Sequence, residues 1–524
     1  MADHSILDLL AGWLRFAGSD ALAAPHIFSA GGREMDVSGL ADWLGLRTGA
    51  GREALANRLA SWDPLAARTA AQKFASCQAA LRDQTAAVAL ASNWQRLASI
   101  EAEIQPLVQP ATALEHETYS ELLFLSNWSK PLNFVPYLLA AWTVIRVYIL
   151  PGMSMMLPFL VLILPYFVIK YVMRVPMQTS MYFSILQGLL KGEMPGLGTP
   201  AGASASSPAK MIGQLVWIGT TLFQAIAQPL WNYQHLSKVD GIICQKASLI
   251  GELSSIYDSI SSTLASAGIT TYANPLAGYS GNRVSLADVL TDPVPVRHCL
   301  RLLGQLEAFT ALAVAPGICP VKWTTGGCRL VDVFDFHVVD AKPVTVDLCQ
   351  RRHVLLTGPN RGGKSTVLRA VAASITLAHT YGCSFGTYAE MQPLARLHCC
   401  LKPDDLPGTK SRFEREVEFT AGTLLGTGTS LVLIDELYHS TNPPDALEAC
   451  RVYCKKLWSS GNHMSIISTH LFDLVDESNP AVVQKLCCPA IADAGGHVKF
   501  LYGLEEGVCK VSSVHELLAA AGMA

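Results

Sequence analysis

The chemistry is concentrated in three short stretches. The first, His353–Ser365, reads HVLLTGPNRGGKS. An apolar strand, Val354–Leu356, runs into Gly358, Pro359, Asn360, Arg361, Gly362, Gly363, Lys364 and Ser365, the spacing GxxxxGK[ST]. Glycines at this spacing let backbone N–H groups wrap phosphate oxygens. The lysine reaches the β and γ oxygens, and the serine hydroxyl ligates Mg²⁺. Thr366 opens the helix that follows, whose positive end faces those phosphates. The second stretch, Ser430–Glu436, reads SLVLIDE. Its apolar residues form a buried strand. Asp435 at the strand end can hold Mg²⁺ through water, and Glu436 can polarise the attacking water. The third, Met464–Ser468, is a strand leading to Thr469 and His470. A histidine there can contact a γ-phosphate or the lytic water. The expected chemistry is hydrolysis of a nucleoside triphosphate with Mg²⁺, with Glu436, His470 and Lys364 as catalytic candidates and Ser365 and Asp435 as metal ligands.

The elements that position these residues belong to a long chain. Its 524 residues suffice for two or three domains. Half are hydrophobic and 15% are charged, against about 25% charged in ordinary soluble proteins. That excludes general disorder and points to a membrane segment. The net charge of −3 lacks the basic excess of proteins that bind nucleic acid mainly through phosphates. The fourteen cysteines are scattered without a CxxC pair, so reduced thiols are expected rather than a zinc site or a disulfide framework. The N-terminus has acidic and polar breaks and lacks the pattern of a signal peptide.

Residues 1–47 read as a leader of amphipathic helix and loop, and 48–125 as helical. From Pro131 to Ile169 the only charge is Arg146. The arm Val147–Ile169 is long enough to span a bilayer core. Pro151-Gly152 is expected to break the segment into a hairpin. Lys130 at one end and Lys170 and Arg174 at the other would keep both ends cytosolic. Trp142, Tyr148, Tyr166 and Tyr171 suit interfacial positions. The alternatives are a hairpin buried in a soluble core and a re-entrant or interfacial element. Residues 191–210 read as a flexible linker. Met211–Gln234 reads as an interfacial or packed helix. Helical pattern resumes over Val239–Ala267 and from Val294 to about Ala315.

TGPNRGGKST, LVLIDEL and STHLFDL, in this order and spacing, resemble the ATPase domain of the MutS family, within the ABC-type ATPases. Asp404-Asp-Leu followed by Ser411-Arg-Phe-Glu-Arg-Glu416 resembles that family's signature segment. Asp435–Asn442 resembles its Walker B segment and following loop, and the Thr-Asn there is closer to membrane-associated bacterial MutS-like proteins. Val498–Gly507, with Ala521-Gly522, resembles the last strand and helix of the domain. More weakly, Thr48–Leu55 and Leu303–Pro320 resemble the start and close of the core or lever region. The departures are that Arg361 stands where repair enzymes carry Met, and that the 47 residues before Thr48 are too few for a mismatch-reading domain and lack its Phe-x-Glu wedge. The apolar hairpin also falls where repair enzymes carry a DNA clamp.

The resemblance implies a C-terminal α/β P-loop ATPase domain, 319–524. It would follow an α-helical core or lever region, 48–318, that contains the apolar hairpin 131–169. It also implies a homodimer through the ATPase domain, with Ser411 completing the partner's nucleotide site. The expected protein is a membrane-associated ATPase, its ATPase domain cytosolic, that uses ATP as a conformational switch without reading mismatches. One alternative is a soluble intracellular relative that binds branched or recombination DNA. DNA binding is suggested by the family but not by the net charge. The other is a scaffold that senses ATP and hardly turns it over.

Overall fold

The computed structural model describes residues 36–82, 84–126, 128–135, 137–190, 220, 223–401, 411–492, 498–512, 514, 518 and 522–523. Most of the leader, the 191–210 linker, residues 211–219 and 221–222, the Asp404-Asp-Leu stretch and Ala521 lie outside the described residues; the rest of the expected 211–234 helix is helical, as Phe223–Ala227 and the start of Gln228–Ser266. The chain forms two compact units, each discontinuous in sequence. One contains residues up to 101, 256–274 and 298–524; the other contains 102–255 and 275–297. These units cut across the linear division at 47 and 318, because the helices Gln84–Ile104, Gln228–Ser266 and Val294–Val314 each run through both.

In the first unit the strands are β1 (Ile318–Trp323), β2 (Cys328–Val333), β3 (Val344–Asp347), β4 (His353–Thr357), β5 (Cys383–Phe385), β6 (Tyr388–Met391), β7 (Arg396–Cys400), β8 (Ser430–Ile434), β9 (His463–Ser468), β10 (Val483–Cys487), β11 (Ala490–Ala492), β12 (Val498–Phe500) and β13 (Glu505–Glu506). The order β13-β10-β4-β9-β8-β7 makes a six-stranded sheet, parallel from β10 to β7. β4, β8 and β9 are buried throughout, as strands covered on both faces must be. Side chains alternate between the faces. Val354, Leu356, Leu431 and Leu433 pack with Val367, Leu368 and Val371 of the helix Lys364–Tyr381. Leu355, Val432, Ile434 and Ile467 pack with Tyr453 and Leu457 of the helix Pro443–Ser459. A second sheet, β3-β2-β6-β1-β5, adjoins.

The helices near the N-terminus dock on the back of Lys364–Tyr381. Asp63 caps Pro64–Ala80 by accepting from Leu65 N and Ala66 N, with Pro64 at the first position. Arg58 Nε donates to Thr380 O at 2.8 Å, and Trp62 Nε1 donates to Leu394 O at 3.1 Å. The Trp62 ring stacks on His379 at 4.3 Å. Gly382 ends the helix with φ 73°, and a Cβ there would lie 2.2 Å from Ala71 N.

In the second unit the backbone stays right-handed helical from Leu138 through Val172. This corrects the expected hairpin: no turn forms at Pro151-Gly152. The turn of π-helix at Ile145–Ile149, just before Leu150–Phe167, absorbs the missing N–H and the ring of Pro151. The helix ends instead at Met173, where Arg174 turns to φ 52°. The chain then enters the helix Thr179–Leu190, and the Tyr182 ring lies 5.3 Å from that of Tyr166. Arg146 is held at the start of the long helix, over the Trp142 ring at 5.5 Å and against Glu121 O at 3.5 Å. Elsewhere in this unit Arg283 pairs with Asp240 at 2.6 Å.

Candidate functional site

β4 delivers Thr357 to the phosphate loop, and Thr357 O accepts from Cys488 N at 2.9 Å on the neighbouring strand. Gly358 turns with φ 149°, where a Cβ would lie 2.9 Å from Cys488 O. Gly363 has φ 103° and caps Lys364–Tyr381 without a side-chain bond. The first N–H groups of an 18-residue helix are therefore left for a ligand. Arg361 takes φ 65° on the exposed outer turn beside Asn360. Lys364 is buried, and its Nζ donates to Gly358 O at 2.8 Å and Pro359 O at 3.3 Å. Burial pushes the Lys364 ammonium below its ordinary pKa, against the attraction of Glu436 and Asp435.

The metal candidates meet: Ser365 Oγ donates to Asp435 Oδ2 at 2.5 Å. Glu436 follows with φ 57° and Tyr438 with φ 54°, a sharp turn after β8. His470 Nε2 lies 3.3 Å from Glu436 Oε1 and 3.1 Å from Lys364 Nζ. One nitrogen serves one of these at a time: protonated, it donates to Glu436; unprotonated, it accepts from Lys364. His470 beside it holds the Glu436 carboxyl below the usual carboxylate range, with Lys364 adding to this and partial burial opposing.

Sequence reading missed Ser468. It is fully buried at the end of β9. Its hydroxyl donates to Asp435 Oδ1 at 2.6 Å and accepts from Glu436 N at 2.8 Å. The available signal was its place directly before Thr469-His470 at a strand end. Also missed were the walls of a cavity of about 590 Å³ that opens over the loop. Val338–Lys342 form one side and Leu501, Tyr502 and Gly503 the other, joined where Lys342 Nζ donates to Leu501 O at 3.1 Å. Phe334 and Asp335, just after β2, also line this cavity. The rings of Phe334 and Phe336 pack on Trp43 and Phe385. Asp335 binds His337 and Arg369, each at 2.8 Å, tying this loop to the phosphate-loop helix.

Ser411 does not line the cavity. It caps Arg412–Thr423 in a reciprocal pair with Glu414. That helix touches the turn after β8: Phe413 meets Tyr438 ring to ring at 5.7 Å, Thr420 Oγ1 lies 2.6 Å from Tyr438 OH, and Glu416 Oε1 lies 3.3 Å from His439 Nδ1.

A parallel sheet with a glycine loop, an uncapped helix end, a buried lysine and a serine–aspartate pair defines a P-loop ATPase domain. The donor set suits ATP with Mg²⁺: N–H groups and Lys364 for phosphate, and the Ser365 and Asp435 oxygens for a hard cation. Residues 354–523 match the family model of MutS domain V. The match covers about a third of the chain, makes this region similar to the ATPase domain of MutS proteins, and supports a relationship to that family.

Proposed function

We propose that the protein hydrolyses ATP and uses the cycle as a conformational switch, as a homodimer attached to a membrane. The observation that carries the ATP hydrolysis is the convergence of Lys364, Ser365 and Glu436 on one cavity, with Asp435 bonded to Ser365 and His470 between Lys364 and Glu436. Lys364 would exchange the Gly358 and Pro359 carbonyls for β and γ oxygens. Ser365 and Asp435 would hold the Mg²⁺ that accompanies the nucleotide. Glu436 would orient the attacking water, with His470 between it and the phosphate. Ser411, exposed at a helix start, would meet the partner's γ-phosphate.

The route for motion is short. Lys364–Tyr381 begins at the phosphates and ends against Pro64–Ala80 at Gly382 and Ala71. Attachment to a membrane, with the ATPase domain cytosolic, is supported by the long apolar helix. Only 22% of Leu138–Leu157 is buried, which favours a lipid-facing helix over a core helix.

The test is phosphate release by purified protein with and without Mg²⁺. Glu436→Gln should keep ATP binding and lose hydrolysis, since an amide accepts poorly from water. A Glu436→Gln variant hydrolysing at the wild-type rate would overturn the assignment.

A further inference from the structure

We infer that the helix Leu138–Val172 crosses a lipid bilayer once, with the turn at residues 173–178 on the face opposite the ATPase domain. This deepens, and rests on, the membrane attachment proposed above. It places the turn about twenty-five residues beyond Pro151, where the sequence had suggested the apex.

Two cation–aromatic groups mark the ends of the crossing. At one, Arg146 lies over the Trp142 ring at 5.5 Å, next to Tyr148. At the other, Lys170 lies over the rings of Tyr166 and Tyr171 at 5.1 and 5.5 Å, and its Nζ donates to Tyr166 OH at 2.9 Å. Arg146 and Lys170 are separated by about 36 Å of helix at 1.5 Å per residue. A bilayer's hydrocarbon core is about 30 Å thick, and aromatic and cationic side chains sit at its borders. The residues between carry no charge. Among the described side chains, Val147 at the start is buried, but Met156 is 59% exposed, Leu160 53% and Leu164 57%. An exposed apolar surface of this length needs a partner. A bilayer fits it because the bounding groups are spaced for one.

The chain also returns. Tyr233 lies ring to ring with Tyr148 at 5.9 Å, back beside the Arg146 end. Charge does not choose the side, because Lys130 and Arg146 flank one end and Lys170 and Arg174 the other. The side is set by the need of the ATPase domain for cytosolic ATP.

The experiment combines carbonate extraction with labelling of intact cells by a membrane-impermeant maleimide. Gln178→Cys, at an exposed position in the turn, should label in intact cells, and Val175→Cys should do the same. The wild type should stay dark until the cells are permeabilised, when exposed Cys244 and Cys349 react. Labelling of both turn variants with a dark wild type supports the crossing. A carbonate-resistant protein whose turn variants label only after permeabilisation overturns the crossing but leaves attachment standing. Recovery of the full chain in the soluble fraction overturns attachment itself.

Discussion

Ser468→Ala should slow ATP hydrolysis without weakening ATP binding. The hydroxyl has two partners, Asp435 Oδ1 at 2.6 Å and Glu436 N at 2.8 Å. Alanine removes the donor to a carboxylate placed for Mg²⁺ and leaves a half-buried N–H without its side-chain acceptor. A hydrogen bond to a charged group contributes about 1.5–3 kcal/mol, and an unsatisfied buried group costs about 1–3 kcal/mol. Glu436 also holds a left-handed φ of 57°, which disfavours any non-glycine residue by about 1–2 kcal/mol. Without Ser468 the turn has less to keep it there. If about 1.4–2.8 kcal/mol of this is lost in the transition state, kcat falls roughly 10- to 100-fold. The phosphate loop is untouched, so KM for ATP should stay within about twofold. Half-maximal activity should need more Mg²⁺, and Ser468→Thr, which keeps the hydroxyl, should recover part of the rate. The assay is steady-state phosphate release across ATP and Mg²⁺ concentrations, with a melting curve as the folding control. A folded Ser468→Ala with wild-type kcat and Mg²⁺ dependence would refute the reasoning.

Lys364→Ala should weaken nucleotide binding at least tenfold, about 1.4 kcal/mol, measured by fluorescent-ATP titration; unchanged affinity would remove Lys364 from the site. Burial holds His353, His379 and His398 neutral, with pKa values lowered to about 4. Their neutral forms contribute fully above pH 6.5, and that contribution is lost as pH falls from 6.5 toward 4, about 3 kcal/mol apiece at most; equal urea midpoints at pH 7.5 and pH 5 would contradict this. Gly382→Ala should destabilise the first unit by more than about 2 kcal/mol, because it adds a Cβ 2.2 Å from Ala71 N at φ 73°; an unchanged denaturation midpoint would show that the two helices part freely there.

The phosphate loop, the SLVLIDE strand and the Thr469-His470 stretch were legible in the sequence because local rules fix them. Glycines permit the turn, uninterrupted apolar residues make a buried strand, and polar residues fall at strand ends. What those rules do not carry is who meets whom. Ser468 is one more small residue at a strand end until β9 lies between β4 and β8. Only that parallel order brings its hydroxyl to Asp435 and Glu436. The cavity walls at Val338–Lys342 and Tyr502 are separated by about 160 residues of chain, and no local pattern pairs them. Pro151-Gly152 shows the converse. The sequence rule that proline breaks a helix was sound locally, yet the turn of π-helix before it let the helix continue to Val172. The sequence determined which residues could handle a phosphate. The tertiary structure decided what holds Asp435 and Glu436 in place and where the apolar helix ends, because both depend on contacts between segments far apart along the chain.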